Sequence, residues 1–310
     1  MASGVSRADI RRAADRIDGY VRRTPVADLG DVLDSGYLLT LKLDSMQPTG
    51  SFKVRGAFSF IAAHAIPEAG VVAASGGNFG LAIAYAAKEL GHRATVFVPS
   101  TSPREKIEPI TGLGAEVRVI SGYYSEALDA SRRWAAESGA LEAHAFDQTE
   151  VVAGQGTCGL EIMEQVPGAG AVLVAVGGGG LIGGIASWTR GGATVIGVEP
   201  ELCPAFQAAR VAGGPVDVEV GGVAASSLGA SRLGEQAWLA NQWINEALLV
   251  SDDEIVKAQR WLWDTCRVLA EPGACTPIAA LLTDRHVPKP GERVVAVISG
   301  ANTAALETQG

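Results

Sequence analysis

Short apolar runs alternate along this chain with longer stretches in which apolar residues recur at helical spacing. Val71–Ala74, Ala94–Val98 and Glu116–Ile120 read as strands, and Phe79–Leu90, Pro103–Leu113 and Tyr123–Ser138 as the helices that follow them. A second series runs through helix Gly156–Gln165, strand Ala171–Val176, helix Leu181–Thr189 and strand Val195–Val198. Asp252–Leu269 and Pro277–Leu282 read as helices, and Arg293–Ile298 as a last strand. Ser251 ahead of Asp252, Asp253 and Glu254 is a helix start: the hydroxyl accepts a first-turn N–H, and the acids face the positive dipole end. Repeated strand–helix units predict parallel sheets covered by helices. Two series predict an α/β protein of two lobes, each a mainly parallel sheet flanked by helices.

Polar and glycine-rich clusters interrupt the pattern at three strand ends. Ser75–Asn78 follows Val71–Ala74, Gly177–Gly180 follows Ala171–Val176, and Ser299–Asn302 follows Arg293–Ile298. Ligands of open α/β sheets bind at the carboxyl ends of strands, so one shared cleft is expected. Residues 47–56 read Gln-Pro-Thr-Gly-Ser-Phe-Lys-Val-Arg-Gly and place Lys53 after a Pro/Gly turn and before a helical stretch. Residues 176–181 read Val-Gly-Gly-Gly-Gly-Leu, a glycine loop between a strand and a helix. Free N–H groups and the dipole make such a helix start an anion site. A phosphate held there, with a lysine amine at hand, meets two needs of pyridoxal phosphate: an anchor for the phosphate and an amine for the aldehyde. The loop has a rival reading, because Gly178-x-Gly180-x-x-Gly183 with Glu199 beyond it also fits a dinucleotide fingerprint. A lone lysine beside a turn is usually a solvated side chain, and a glycine run is often only a linker. This segment by itself leaves both cofactors open.

Composition narrows the partners rather than the fold. Hydrophobic residues make up 47% of the 310 and charged residues 19%, which excludes general disorder and allows a substantial core. A formal charge of −9 argues against nucleic acid or an anionic membrane as partner. No apolar stretch is long enough to span a bilayer, and Met1–Asp18 is charged and helix-like, without the apolar core of a signal peptide. Cys158, Cys203, Cys266 and Cys275 show no paired spacing, so a reduced, cytoplasmic chain with buried thiols is expected. His64, His92, His144 and His286 match no catalytic or metal spacing and are expected to be structural or surface residues; no metal site is expected.

Further motifs follow in order along the chain: Gln47–Ala57 around the lysine, Ser75-Gly-Gly-Asn-Phe-Gly80, Val98–Lys106 with Gly114–Val117, Phe146-Asp147 with Ala153–Thr157 and Leu160–Ile162, Val176–Ile182, Glu271-Pro-Gly-Ala274, and Ser299-Gly-Ala-Asn302. Together they resemble the threonine dehydratase and serine racemase group of fold-type-II pyridoxal phosphate enzymes, over nearly the whole chain. The resemblance displaces the dinucleotide reading. It implies a tryptophan synthase beta-like architecture, with a large cofactor-binding domain at 1–66 and 147–310 and a small domain at 67–146.

The resemblance also implies roles. Lys53 would bond the cofactor aldehyde and later act as base at Cα. Phe52 would pack on the pyridine ring, and Gly177, Gly178, Gly179, Gly180 and Leu181 would hold the phosphate. Ser75, Gly76, Gly77 and Asn78 would hold the substrate carboxylate, with Asn78 also at the ring hydroxyl and Phe79 beside them. Glu271 belongs to the cofactor-binding set. Ser299 would face the pyridine nitrogen, where a neutral hydroxyl leaves the nitrogen largely unprotonated and the electron sink weak. A weak sink suits elimination, because the departing β-hydroxyl takes the electron pair. The implied activity is dehydration and deamination of a β-hydroxy amino acid, by default L-threonine or L-serine, to a 2-keto acid and ammonia by a homodimer. Alternatives are an amino-acid (serine) racemase, a lyase for 3-hydroxyaspartate or a bulkier β-hydroxy amino acid, or a non-catalytic pyridoxal phosphate-binding protein.

The chain departs from the group at several points. Phe79 stands where the group usually has His, and Gly221-Gly222 where Asp-Gly is common. The ring of Phe79 either makes the pocket wall apolar or turns inward as a core residue. Gly76 stands where serine racemases carry a Ser whose hydroxyl serves the second face of Cα, which disfavours racemisation. Glu199 and Cys203 fall at two positions of a cation site of the serine racemase branch, but Ala205 replaces its Asp, so weak or absent metal binding is expected. The sequence closes soon after Asn302, so a C-terminal regulatory domain with isoleucine feedback is not expected.

Overall fold

The computed structural model describes residues 4–303. Its strands are β1 (Val26–Gly30), β2 (Leu38–Lys42), β3 (Val71–Ala74), β4 (Ala94–Pro99), β5 (Glu116–Ile120), β6 (Leu141–Glu142), β7 (Ala169–Ala175), β8 (Thr194–Pro200), β9 (Glu246–Val250) and β10 (Arg293–Val297). They form two sheets, one of six strands in the order β1-β2-β10-β7-β8-β9 and one of four in the order β5-β4-β3-β6. Among these strands only β1 and β2 pair antiparallel; every other pairing is parallel. All strands of the smaller sheet lie between 71 and 142, and those of the larger sheet flank that stretch in sequence. The ends of the expected large domain, residues 1–3 and 304–310, lie outside the described residues.

The central strands are apolar throughout because both faces are covered. Every residue of β3 and β4 is buried, as is every residue of β10 after Arg293. Helices Asn78–Glu89 and Arg104–Gly112 pack with helix Tyr124–Ser138 around the smaller sheet. Helices Thr149–Gln165, Gly180–Thr189 and Thr276–Leu282 cover the larger one. Ser251 caps helix Asp252–Cys266 as expected: its hydroxyl accepts from Glu254 N–H, and the Glu254 carboxylate accepts from Ser251 N–H.

Two helix boundaries lie more than one residue from the positions that the sequence predicts, each for a physical reason. Helix Thr149–Gln165 begins seven residues before Gly156, the start expected from the sequence. Its glycines look like breakers but serve close helix packing. A Cβ on Gly154 would lie 2.5 Å from the Arg55 carbonyl oxygen, and one on Gly159 3.0 Å from Ile185 Cα. The helix from Asp252 stops at Cys266 rather than Leu269, because Arg267 adopts a left-handed conformation with φ 54°.

Candidate active site

Lys53 opens helix Lys53–Ile61, with Phe52 as the residue before the first turn. This helix end is fixed from two sides. Phe52 N–H donates to the Ser299 carbonyl (2.9 Å), and Ser51 bridges Gly300 in antiparallel fashion. Gly56 lets the helix press on helix Thr149–Gln165, where a Cβ would lie 2.9 Å from the Val151 carbonyl oxygen. The lysine as a residue is half-buried, but its amine is ringed by aromatics. Nζ lies 5.0, 5.8 and 6.0 Å from the ring centres of Phe52, Phe79 and Phe146. It donates to the Ala145 carbonyl at 2.9 Å. Burial among these rings lowers the amine's pKa to about 8, against the smaller upward pull of Glu271. The amine is therefore partly neutral at pH 7 and able to act as nucleophile or base.

The glycine loop lies between β7 and helix Gly180–Thr189. Gly179 takes φ 85°, which only glycine adopts without strain, and turns the chain into the helix. A Cβ on Gly177 would lie 2.9 Å from Leu228 Cα, and one on Gly178 would collide with the Phe146 ring. Among the described residues, the N–H groups of Gly177, Gly178 and Gly179 have no protein acceptor, so the loop offers an array of donors at a helix N-terminus. Phe146 touches both this loop and the surroundings of Lys53, which joins the amine and the anion cradle in one site.

The third cluster faces the same place. Helix Asn78–Glu89 starts directly after Ser75-Gly-Gly, and the Ser75 hydroxyl accepts Gly77 N–H at 3.3 Å. Asn78 Nδ2 donates to Glu271 Oε1 (2.8 Å), while Asn302 Nδ2 donates to Asn78 Oδ1 (2.8 Å) and to the Thr49 carbonyl (2.8 Å). Asn302 thus ties Asn78, beyond the smaller sheet, to the turn that precedes Lys53, and it fixes which end of the Asn78 amide is the donor. Burial raises the Glu271 carboxyl to about 7, held back by the Asn78 hydrogen bond and by Lys106 and Lys53. Ser299 is buried beside this chain. Phe79 turns inward, 2% exposed among Val54, Phe58 and Ile83, and its ring still approaches Lys53.

Other positions singled out by the sequence stand apart. Both oxygens of the Glu199 carboxylate are taken by N–H groups at the start of helix Ala205–Ala212, Phe206 at 2.7 Å and Gln207 at 2.8 Å. Burial raises Glu199 to about 8 against these two bonds. The Cys203 thiol donates to the Gly221 carbonyl at 3.1 Å. Two participants escaped the sequence reading. The Ala145 carbonyl is a backbone group with no residue-type signal. Asn302 was legible as part of a motif, but not as the partner of Asn78.

An enclosed amine of lowered pKa, linked through Phe146 to an array of N–H groups that have no protein acceptor among the described residues, fits a phosphate-bearing aldehyde: one end would bond the amine and the other would fill the cradle. The family described as pyridoxal-phosphate dependent enzyme matches residues 17–300. The chain is 36% identical to an L-threonine ammonia-lyase of Thermotoga maritima, covering 95% of this chain and 75% of that protein. It is 33% identical to an L-threonine dehydratase catabolic TdcB of Staphylococcus aureus, covering 99% and 91%. Among solved structures it is similar to maize serine racemase (TM-score 0.92, 29% identity, covering 97% and 95%) and to a T.th. threonine deaminase (TM-score 0.89, 33% identity, covering 96% and 99%). With the family matched from the end of the first helix to the last strand cluster, this chain belongs to the pyridoxal-phosphate dependent enzymes.

Proposed function

We propose that this enzyme is an ammonia-lyase that dehydrates and deaminates a β-hydroxy amino acid, L-threonine or L-serine, to a 2-keto acid and ammonia. The observation that carries the reading is the partly neutral Lys53 amine, enclosed by aromatic rings and linked through Phe146 to the Gly177–Gly179 donors. The relatives named for threonine ammonia-lyase and dehydratase activity support the substrate class. We also infer a homodimer in the cytoplasm, with lobes divided at 67–146, as the family resemblance implies.

The bound cofactor supplies an electron sink conjugated to the substrate Cα. The chain's own residues do the rest. The loop from Gly177 to Leu181 would hold the phosphate through backbone N–H groups and the helix dipole. Gly76 N–H and the first N–H groups of helix Asn78–Glu89 receive the substrate carboxylate. The Asn78 amide, oriented by Asn302 and Glu271, would have its remaining Nδ2 hydrogen free for the cofactor's hydroxyl. Phe52 would pack on the cofactor ring, and Ser299 would give its pyridine nitrogen a neutral partner. Lys53 takes the Cα proton as the β-hydroxyl departs with the bonding electron pair.

Mixing the enzyme with a panel of β-hydroxy amino acids, 3-hydroxyaspartate included, and measuring ammonia and keto acid tests this reading. No release from any of them would sink it and favour a non-catalytic cofactor-binding protein. The pH dependence has a definite sign. The neutral fraction of an amine with a pKa of about 8 grows about tenfold from pH 7 to pH 9, and turnover should rise with it. A flat profile over that range would argue against Lys53 as the base.

Racemisation needs a second proton-handling group on the opposite face of Cα. Gly76 has no side chain, and a Cβ there would collide with the Ser102 hydroxyl, so that hydroxyl occupies the adjacent space. The wild type should form keto acid from L-serine or L-threonine at least about tenfold faster than the D-enantiomer or epimer, a gap of about 1.4 kcal/mol in barrier. Chiral chromatography measures both. D-serine formation matching pyruvate formation would overturn the lyase assignment, and loss of that activity in Ser102→Ala would identify the responsible hydroxyl. Gly76→Ser alone is expected to bind substrate poorly, because Ser102 must move to admit it.

A further inference from the structure

Residues 143–148 carry the chain from the smaller sheet back to helix Thr149–Gln165, and this short crossover supplies several parts of the site. Ala145 gives the carbonyl that accepts from Lys53 Nζ. Phe146 gives the ring packed over Gly178 and facing the amine. The Asp147 carboxylate accepts from Gln236 N–H at 2.8 Å. Such a segment needs its own restraint, because neither a strand nor a helix fixes it. His144 provides one. Its Nδ1 accepts the N–H of Asp147 at 3.2 Å and of Phe146 at 3.4 Å, and its ring stands edge-on to the Phe146 ring at 4.6 Å. Two donors converging on Nδ1 require a lone pair there, so the imidazole is neutral with its proton on Nε2. The backbone of His144 is held in turn, its N–H donating to Gln148 Oε1 at 2.8 Å.

We infer that His144 is a positioning residue for Lys53: its Nδ1 gathers the Phe146 and Asp147 amides and thereby aims the intervening Ala145 carbonyl at the lysine amine. The inference rests on Lys53 being the amine that bonds the cofactor. A proton on Nδ1 replaces the acceptor with a donor facing two donors, and both bonds are lost. The groups around the ring are Asp147 on its own segment, Glu142 on β6, Arg132 on helix Tyr124–Ser138 and Lys53 on its helix. Burial is the largest influence and lowers the imidazole below its ordinary 6.5; Asp147 and Glu142 oppose that, Lys53 and Arg132 add to it. The native state therefore favours the neutral ring. The stability this contributes is present above pH 6.5 and is lost as pH falls through the lower native value.

Three forms of the full chain test the inference: wild type, His144→Asn and His144→Leu. Asparagine places an acceptor oxygen where Nδ1 stands and does not titrate; leucine fills the space without an acceptor. The readouts are the rate at which added pyridoxal phosphate is captured, followed by its absorbance from pH 5.5 to 8, and the pH profile of kcat for the holoenzyme. Protonation of the cofactor itself is common to all three and cancels in the comparison. In the wild type, the decline in log rate should steepen as pH falls through the native value of His144, which lies below 6.5, as a second proton joins the one on Lys53; a wild type with no steepening down to pH 5.5 would count against the inference. His144→Asn should stay within about threefold of wild type at pH 8 and show no steepening, and His144→Leu should be slowed about tenfold or more at pH 8, the loss expected when buried hydrogen bonds go unmade. The inference is overturned if His144→Asn steepens as the wild type does, or if a folded His144→Leu captures cofactor at the wild-type rate. Should His144→Leu fail to fold, the slope in His144→Asn decides. Absence of any cofactor band in the wild type would instead defeat the assignment of Lys53.

Discussion

Lys53→Ala is expected to abolish turnover while leaving the fold intact. Loss of the general base alone costs about 10²–10⁴-fold, and loss of the covalent anchor for the cofactor adds to it. Other lysines are poorly placed to substitute. Lys42 is buried with its three donors committed to Glu161, Gln165 and the Thr24 carbonyl. Among the described residues Lys53 itself has no ion-pair partner: its one strong bond is to the Ala145 carbonyl, and its amine is enclosed by rings. Removing an amine whose charge is opposed by its surroundings should leave the melting temperature near that of the wild type. Activity and stability therefore separate, which a general folding defect would not produce. Borohydride reduction of the wild-type holoenzyme followed by peptide mass spectrometry checks the assignment directly. An adduct on Lys42, Lys88 or Lys106 would falsify it, as would residual activity above about a hundredth of wild type in a cofactor-loaded Lys53→Ala protein.

What the sequence made legible follows from where signals are local. Strands β3, β4 and β7 are continuous apolar runs that end in turns, and glycine-rich ones after β3 and β7, so both the strand and the site at its end were visible. β1, β2, β6 and β9 carry no such signal. β2 reads Leu-Leu-Thr-Leu-Lys, and its final lysine looks like a solvated end until Glu161, far along the chain, is brought against it. β9 lies at the sheet edge and is half-buried, so its pattern is weak. Phe79 was ambiguous because a helix start offers both an inward and a cleft-facing direction; packing with Val54 and Phe58 sends it inward. Side-chain spacing assigns the histidines no catalytic or metal role. The partners of His144 are backbone N–H groups two and three residues ahead, which spacing rules do not register.

The largest expected effect on stability lies two residues beyond Lys53. Arg55 is fully buried, and its guanidinium spends every N–H. Nε and Nη2 grip Asp44 at 2.8 and 2.7 Å, Nη1 and Nη2 grip Glu161 at 2.6 and 2.9 Å, and Nη1 also reaches the Thr157 hydroxyl at 3.1 Å. Lys42 donates to the same Glu161 at 2.5 Å, and the Thr24 hydroxyl donates to Asp44 at 2.8 Å. Two cations thus balance two carboxylates, with the geometry that a buried charge cluster requires. Burial is the largest single influence and by itself would raise the Asp44 carboxyl; Arg55, joined by Lys42 and the Thr24 hydroxyl, outweighs it and holds the carboxyl below its ordinary value of 3.8. That contribution is present above pH 3.8 and is lost as pH falls through the lower native value. Arg55→Met leaves two buried carboxylates with one cation and should cost about 3–5 kcal/mol in urea unfolding. Arg55→Lys keeps the charge but loses the planar fork, so it should recover only part of that cost. Asp44→Asn added to Arg55→Met restores the charge balance, and the double variant should be more stable than the sum of the single losses predicts, by about 1–3 kcal/mol. Strict additivity would mean that the cluster does not act as a unit. The cluster also locks the helix that begins with Lys53 to helix Thr149–Gln165, so Arg55→Met should weaken cofactor retention even where the protein remains folded. Wild-type retention in a folded Arg55→Met protein would confine the cluster to stability alone.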